Sequence, residues 1–193
     1  MAPVIGIDFD NTLVSYDALI HDAAIERGLI AAGGDRSKRS VRDRIRLQPD
    51  GEIEWQKLQA LIYGPLMGRA ALMPGADAFV RACRARGWPT YIVSHKTEFA
   101  GYDETGTNLR DAALAWMTAQ GFFAESGLGF SRDQVFFEST RGGKIARIRA
   151  LACTHFIDDL EEVFSEPAFP AGVEQFLFES WPPLHEHFFA ARA

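Results

Sequence analysis

The apolar run Val4-Ile5-Gly6-Ile7 passes without a break into Asp8-Phe9-Asp10-Asn11-Thr12-Leu13. A short run of this kind reads as a buried strand, and the two carboxylates stand at its exit. Side chains two apart on an extended segment point the same way, so Asp8 and Asp10 converge on one small volume while Phe9 packs into the core. Like charges that close repel, and they persist if a cation lies between them, if one holds a proton, or if both face water. The segment alone is equally compatible with a solvated loop in which Asn11 or Thr12 caps the next helix.

Two further runs repeat the pattern. Tyr91-Ile92-Val93 ends in Ser94-His95-Lys96-Thr97, and Thr154-His155-Phe156-Ile157 ends in Asp158-Asp159. Between them Gly142-Gly143-Lys144 opens the helical spacing Ile145, Ile148, Leu151. Each predicted strand therefore ends in groups that handle phosphate or metal. The glycines before Lys144 are not a nucleotide-type phosphate loop, because Glu138 occupies the place of its first glycine and no Ser or Thr follows the lysine.

In order and character these four segments, spanning Val4 to Asp159, resemble the haloacid dehalogenase-like hydrolase superfamily, whose members are mostly Mg²⁺-dependent phosphatases. The resemblance implies an α/β fold: a Rossmann-like core with a parallel sheet, carrying a small inserted helical cap. It also implies roles at matching positions. Asp8 corresponds to the nucleophile that forms an aspartyl-phosphate, and Asp10 to the general acid and later base. Ser94 matches the hydroxyl that hydrogen-bonds the transferring phosphoryl group, with Thr12 and His95 as further substrate-binding positions. Lys144 matches the cation that neutralises charge on Asp8 and phosphate. Asp158 and Asp159, with Asp8 and the backbone carbonyl of Asp10, correspond to the Mg²⁺ ligands, and hard carboxylate oxygens suit that ion. Lys96 and Arg141 offer alternative positive charges, and Asp159 is also placed to cap a helix over Leu160 to Phe164.

The periodicity predicts helices from Asp17 to near Gly33-Gly34, from Ser40 to Leu47, from Gly51 to Tyr63, from Ala76 to Arg86 and from Asn108 to Gln120. Strands are expected at Gln134 to Glu138 and Glu174 to Phe178, with a short aromatic-rich helix around Leu184 to Phe189. Some sixty residues of helical pattern separate the first two strands, too many for a simple crossover. Residues 15–73 are therefore expected to form a helical cap over the carboxyl ends of the strands, and residues 1–14 with 74–193 the α/β core.

Composition narrows the partners. A net charge of -6 disfavours non-specific binding to nucleic acid or to an anionic membrane. Cys83 and Cys153 are too few for a disulfide framework. No apolar stretch approaches a membrane span, and the first strand begins by residue 4, leaving no room for a signal peptide, so a cytoplasmic enzyme is expected. The basic run Arg36, Lys38, Arg39, Arg42, Arg44 and Arg46 reads either as a lure for an anionic substrate or as a solvated helix face.

The expected activity is hydrolysis of a small phosphorylated metabolite, of the sugar phosphate or nucleotide class. Within the superfamily the rivals are a dehalogenase, whose halide leaves without a proton and gives Asp10 no task, and a phosphonatase, which needs a cap lysine such as Lys38 or Lys57 for a Schiff base. A non-catalytic binding protein on the same fold is the alternative from another class.

Overall fold

The computed structural model describes residues 2–103 and 105–190. In chain order these form β1 (Ile5–Ile7), β2 (Val14–Ser15), α1 (Asp17–Glu26), α2 (Lys38–Arg46), α3 (Gly51–Tyr63), β3 (Ala71–Leu72), α4 (Ala76–Ala85) and β4 (Thr90–His95). They continue with α5 (Leu109–Ala119), β5 (Val135–Glu138), α6 (Arg141–Ala150), β6 (His155–Asp158), α7 (Glu161–Phe164), β7 (Glu174–Leu177) and α8 (Trp181–Phe189). Two compact units result. One comprises residues 1–14, 72–96 and 120–193, the other residues 15–71 and 97–119. The chain passes from one to the other at 14/15, 71/72, 96/97 and 119/120.

The first unit is the expected α/β body. Its five strands lie in the order β5-β4-β1-β6-β7, and every neighbouring pair is parallel. Because parallel strands are covered on both faces, β1 is buried at all three residues. Helix α6 lays Ile145 and Ile148 on Val93, Phe156 and Cys153. A second apolar group joins Phe79 of α4 to Trp181 of α8, with ring centroids 4.6 Å apart. In register, Ile7 of β1 lies beside both Ile92 of β4 and Ile157 of β6, so the exits of these three strands come out level. The strand order reverses at β1, and open α/β sheets bind ligands at the carboxyl edge of such a switch point.

Gly6 is the tightest point of this layer. A methyl group there would overlap the Phe156 ring and stand 3.1 Å from Cys153 Sγ. Gly6→Ala is expected to destabilise the protein by about 1–3 kcal/mol, the usual cost of overpacking a well-filled core. Urea unfolding checks this, and a loss below about 0.5 kcal/mol, within the range of ordinary surface changes, would contradict it.

The second unit is helical. Buried residues at helical spacing, Ile20 and Ala24 of α1, Val41 and Ile45 of α2, Leu58 and Ile62 of α3, form its interior. Residues 97–119 belong to this helical unit together with residues 15–71. The physical cause is Trp116 of α5, buried, whose indole N–H donates to the Ala70 carbonyl at 2.9 Å, with Ala113 and Met117 buried on the same helix.

Two element boundaries differ from expectation by three residues or more. Helix α1 stops at Glu26 instead of near Gly33, because Gly28 takes a left-handed φ of 69° and the Leu29 N–H folds back to the Ala24 carbonyl, closing the helix end. Helix α8 begins at Trp181, three residues before the expected start, since Pro182 and Pro183 fall in the first turn, where amide hydrogens lack intrahelical acceptors. Among the described residues no helix is long and apolar enough to cross a membrane.

Candidate active site

The site grows out of the ends of β1, β4 and β6. The Asp8 amide donates to the Ile157 carbonyl at 2.9 Å, so the ladder continues one residue beyond β1 and sets Asp8 level with Asp158. The chain then turns. Phe9 goes into the core, its carbonyl accepts from both the Leu13 and Val14 amides, and Asn11 adopts φ 60°, a left-handed conformation that asparagine tolerates better than most residues. The Trp181 indole donates to the Thr12 carbonyl at 2.9 Å, and so braces the turn from α8.

Lys144 projects from the first turns of α6. Its helix is started by Thr140, whose hydroxyl accepts from the Gly143 amide at 3.0 Å. The Lys144 ammonium lies 2.5 Å from Asp8 Oδ1 and 2.6 Å from Asp158 Oδ2, with all three side chains essentially buried. Asp158 Oδ1 accepts the Leu160 amide at 3.0 Å. Asp159 accepts from the Asn11 side chain at 3.2 Å, so it joins the β6 exit to the β1 turn. It does not cap α7, whose N-cap is Leu160.

A second cation serves the second acid. Lys96 follows β4, its ammonium 2.9 Å and 3.1 Å from the two Asp10 carboxylate oxygens, its side chain only 3% exposed. Four carboxylates thus meet two ammonium groups, which leaves two negative charges when all are ionised. Burial pushes the Asp8 carboxyl well above its ordinary range; Lys144 pulls it back, and Asp158, Asp159 and Asp10 push it up again. Burial alone would lower Lys144, yet the carboxylates of Asp8 and Asp158 more than offset this and hold its ammonium above the usual value. A surplus of negative charge at such a place is relieved by a cation between the acids or by a proton on one of them. Asp8, Asp158 and Asp159 each offer an oxygen, all within 4.8 Å of one another. Hard oxygen donors at that spacing fit Mg²⁺ or a similar ion.

Two hydroxyls complete the site. Thr12 Oγ1 and Ser94 Oγ are buried, and among the described residues neither has a hydrogen-bond partner. Buried polar groups are nearly always satisfied, so an unpaired pair at the strand exits is suited to a ligand oxygen.

No family model matches the sequence, and no curated protein matches it. Solved structures do. The chain is similar to a hydrolase from Streptococcus pneumoniae TIGR4, with TM-score 0.60 at 13% identity over 97% of this chain and 98% of that one. It is similar to a haloacid dehalogenase-like family hydrolase from Streptococcus pneumoniae, with TM-score 0.57 at 14% identity over 90% and 83%. A third likeness is to a HAD family hydrolase from Deinococcus radiodurans R1 with bound phosphate and sodium, TM-score 0.54 at 17% identity over 97% and 96%. The chain has the haloacid dehalogenase-like fold.

On this haloacid dehalogenase-like sheet Asp8, Asp158 and Asp159 come together with Lys144 at the β1 and β6 exits, while Ser94 lies on β4 and Thr12 on the turn after β1. The Asp10 carboxylate stands apart from the three-acid cluster and turns to Lys96. His95 is exposed at the end of β4, its Nε2 donating to the Ser139 carbonyl at 3.2 Å. Of the competing cations, Arg141 pairs with Glu166 at 2.9 Å, which leaves the Asp8 position to Lys144. The partnership of Lys96 with Asp10 went unread in the sequence. Its signal was the period of two along an extended chain, which sets Lys96 on the same side as Ser94.

Five of the six residues of the basic run have contacts within their own unit. Arg36 pairs with Asp22, Arg42 with Asp43 and Arg46 with Glu52, while Arg44 donates to the Gly33 and Ala31 carbonyls. Lys38 lies 5.6 Å over the Tyr63 ring. These contacts favour the helix-face reading of the run.

Proposed function

We propose that the protein is a Mg²⁺-dependent phosphatase that hydrolyses a small phosphorylated metabolite through an aspartyl-phosphate on Asp8. The observation that carries this reading is the division of the strand-end acids between two lysines: Asp8 shares Lys144 with Asp158, and Asp10 has Lys96. The two acids answer to different cations and can therefore take different roles.

A carboxylate approaching a phosphate ester dianion is repelled by about 4 kcal/mol per pair of unit charges at 4 Å and an effective dielectric near 20. Lys144 counters part of this. A divalent ion held by Asp8, Asp158 and Asp159, with the Asp10 backbone carbonyl, would supply the remaining positive charge and polarise a phosphoryl oxygen. Asp8 Oδ attacks phosphorus as the ester P–O bond breaks, and Asp10 gives its proton to the departing oxygen. Water then attacks the phosphoryl group and passes a proton to Asp10, releasing inorganic phosphate and the Asp8 carboxylate. The Ser94 and Thr12 hydroxyls donate to phosphoryl oxygens; His95, next to Ser94 in sequence but exposed, is bonded to the Ser139 carbonyl. Phosphate bound by the Deinococcus radiodurans neighbour supports the choice of substrate class.

A dehalogenase has no use for a proton donor, so Asp10 with its own buried lysine speaks against that reading. For a phosphonatase, Lys57 is engaged 2.8 Å from Glu54 and Lys38 lies over the Tyr63 ring, so both cap lysines already have contacts within their own unit.

Purified protein assayed against a panel of phosphorylated metabolites is expected to release phosphate with Mg²⁺, to stop in excess chelator and to recover on re-addition. Asp158→Asn is expected to raise the Mg²⁺ requirement by at least the ~10–100-fold that losing even an outer-shell partner costs. Full turnover in excess chelator would overturn the assignment.

A further inference from the structure

We infer that Lys96 is a positioning residue that fixes the Asp10 carboxylate for proton transfer to the leaving oxygen, a task separate from that of Lys144. The inference rests on the phosphatase reading above. Lys96 is held at both ends. Its amide donates to the Glu138 carbonyl at 2.9 Å, extending the β4–β5 ladder past His95. Its ammonium contacts both Asp10 oxygens and lies 5.7 Å from the centre of the Phe9 ring, itself fully buried and set edge-on to Phe137 at 6.1 Å. The lysine side chain is 3% exposed and the aspartate 21%, so the anchor is the buried member and the anchored group faces outward.

A buried ammonium is costly unless paired, which fixes the partner as firmly as the seat. Asp10 needs such an anchor. It stands on a turn, next to Asn11 in the left-handed region, and three other carboxylates lie at the same strand exits. Without Lys96 the Asp10 carboxylate loses both of its ammonium contacts. Proton transfer requires donor and acceptor within about 2.6–3.2 Å, and a misplacement of ~1 Å can cost ~10²-fold. Arginine grips a carboxylate through two parallel N–H groups and can replace the lysine's two contacts; methionine keeps the stem and loses the charge.

The test compares an alkyl phosphate, whose leaving oxygen needs the proton, with an aryl phosphate carrying a good leaving group. For Lys96→Met, kcat on the alkyl ester is expected to fall ~10–100-fold further than kcat on the aryl ester, with KM for both nearly unchanged. Lys96→Arg is expected to recover most of the difference. Equal losses on the two esters, or no loss, would overturn the inference; if Lys96→Met does not fold, Lys96→Gln carries the same comparison. Absence of wild-type turnover on every ester would instead remove the phosphatase reading. Crystal structures of the wild type and Lys96→Met then decide the positioning claim by itself: it predicts a displaced Asp10 carboxylate and fails if the group stays in place.

Discussion

Asp8→Asn is expected to abolish phosphate release, with a loss on the order of 10⁴–10⁶-fold, because the amide cannot form the covalent phosphoryl bond and single-nucleophile knockouts fall in this range. The variant is expected to fold. Burial and three neighbouring acids hold the Asp8 carboxyl above its ordinary range, so in cation-free protein its ionised form is a cost, not a support. The sign follows from linkage: a carboxyl bound more tightly by protons in the folded state adds stability at low pH and loses it as pH rises through the raised value. In chelator, then, wild type is expected to lose more stability than Asp8→Asn between acidic and neutral pH. Thermal unfolding across that range checks it, and a wild type that loses no more stability than Asp8→Asn over that range would contradict the electrostatic account.

Lys144→Met is expected to damage both stability and activity. Removing the ammonium leaves Asp8 and Asp158 buried without the charge they share, and breaking a buried pair by deleting one partner costs about 3–5 kcal/mol. On the proposed assignment Mg²⁺ would be held by the same acids, and its addition is expected to return part of that loss, by about 2.7 kcal/mol at a hundredfold excess over its dissociation constant. Urea unfolding with and without Mg²⁺ measures both terms. A loss under 1 kcal/mol that ignores Mg²⁺ would show that Lys144 is not the charge holding these carboxylates together.

Much of the site could be read from the chain because each contributing strand announces itself in consecutive letters. Asp8 and Asp10 follow β1, Ser94 closes β4, Asp158 and Asp159 close and follow β6, and a parallel sheet delivers such exits to one edge. Contacts that depend on strand order were harder to read. Lys96 meets Asp10 only because β4 lies beside β1 with Ile7 opposite Ile92, and the sequence offered Lys96 merely as a rival to Lys144. The Trp181 hydrogen bond to Thr12 spans most of the chain and has no local signature. Asn108 to Gln120 was legible as a helix, yet its grouping with residues 15–71 rests on Trp116 reaching the Ala70 carbonyl, a tertiary contact. The basic run drew attention by charge density alone, and its pairing with Asp22, Asp43 and Glu52 depends on how the helices and loops of that unit fold together.

The central claim is that Asp8 carries the phosphoryl group, and Asp10→Asn exposes it. With an aryl phosphate the first step needs little proton donation, whereas dephosphorylation loses its base, worth about 10²–10⁴-fold, so phosphoenzyme accumulates. Rapid quench of Asp10→Asn with an aryl phosphate and Mg²⁺, followed by peptide mass spectrometry, is predicted to find one added phosphoryl group on Asp8. An adduct on another residue, or none while turnover continues, would contradict the account.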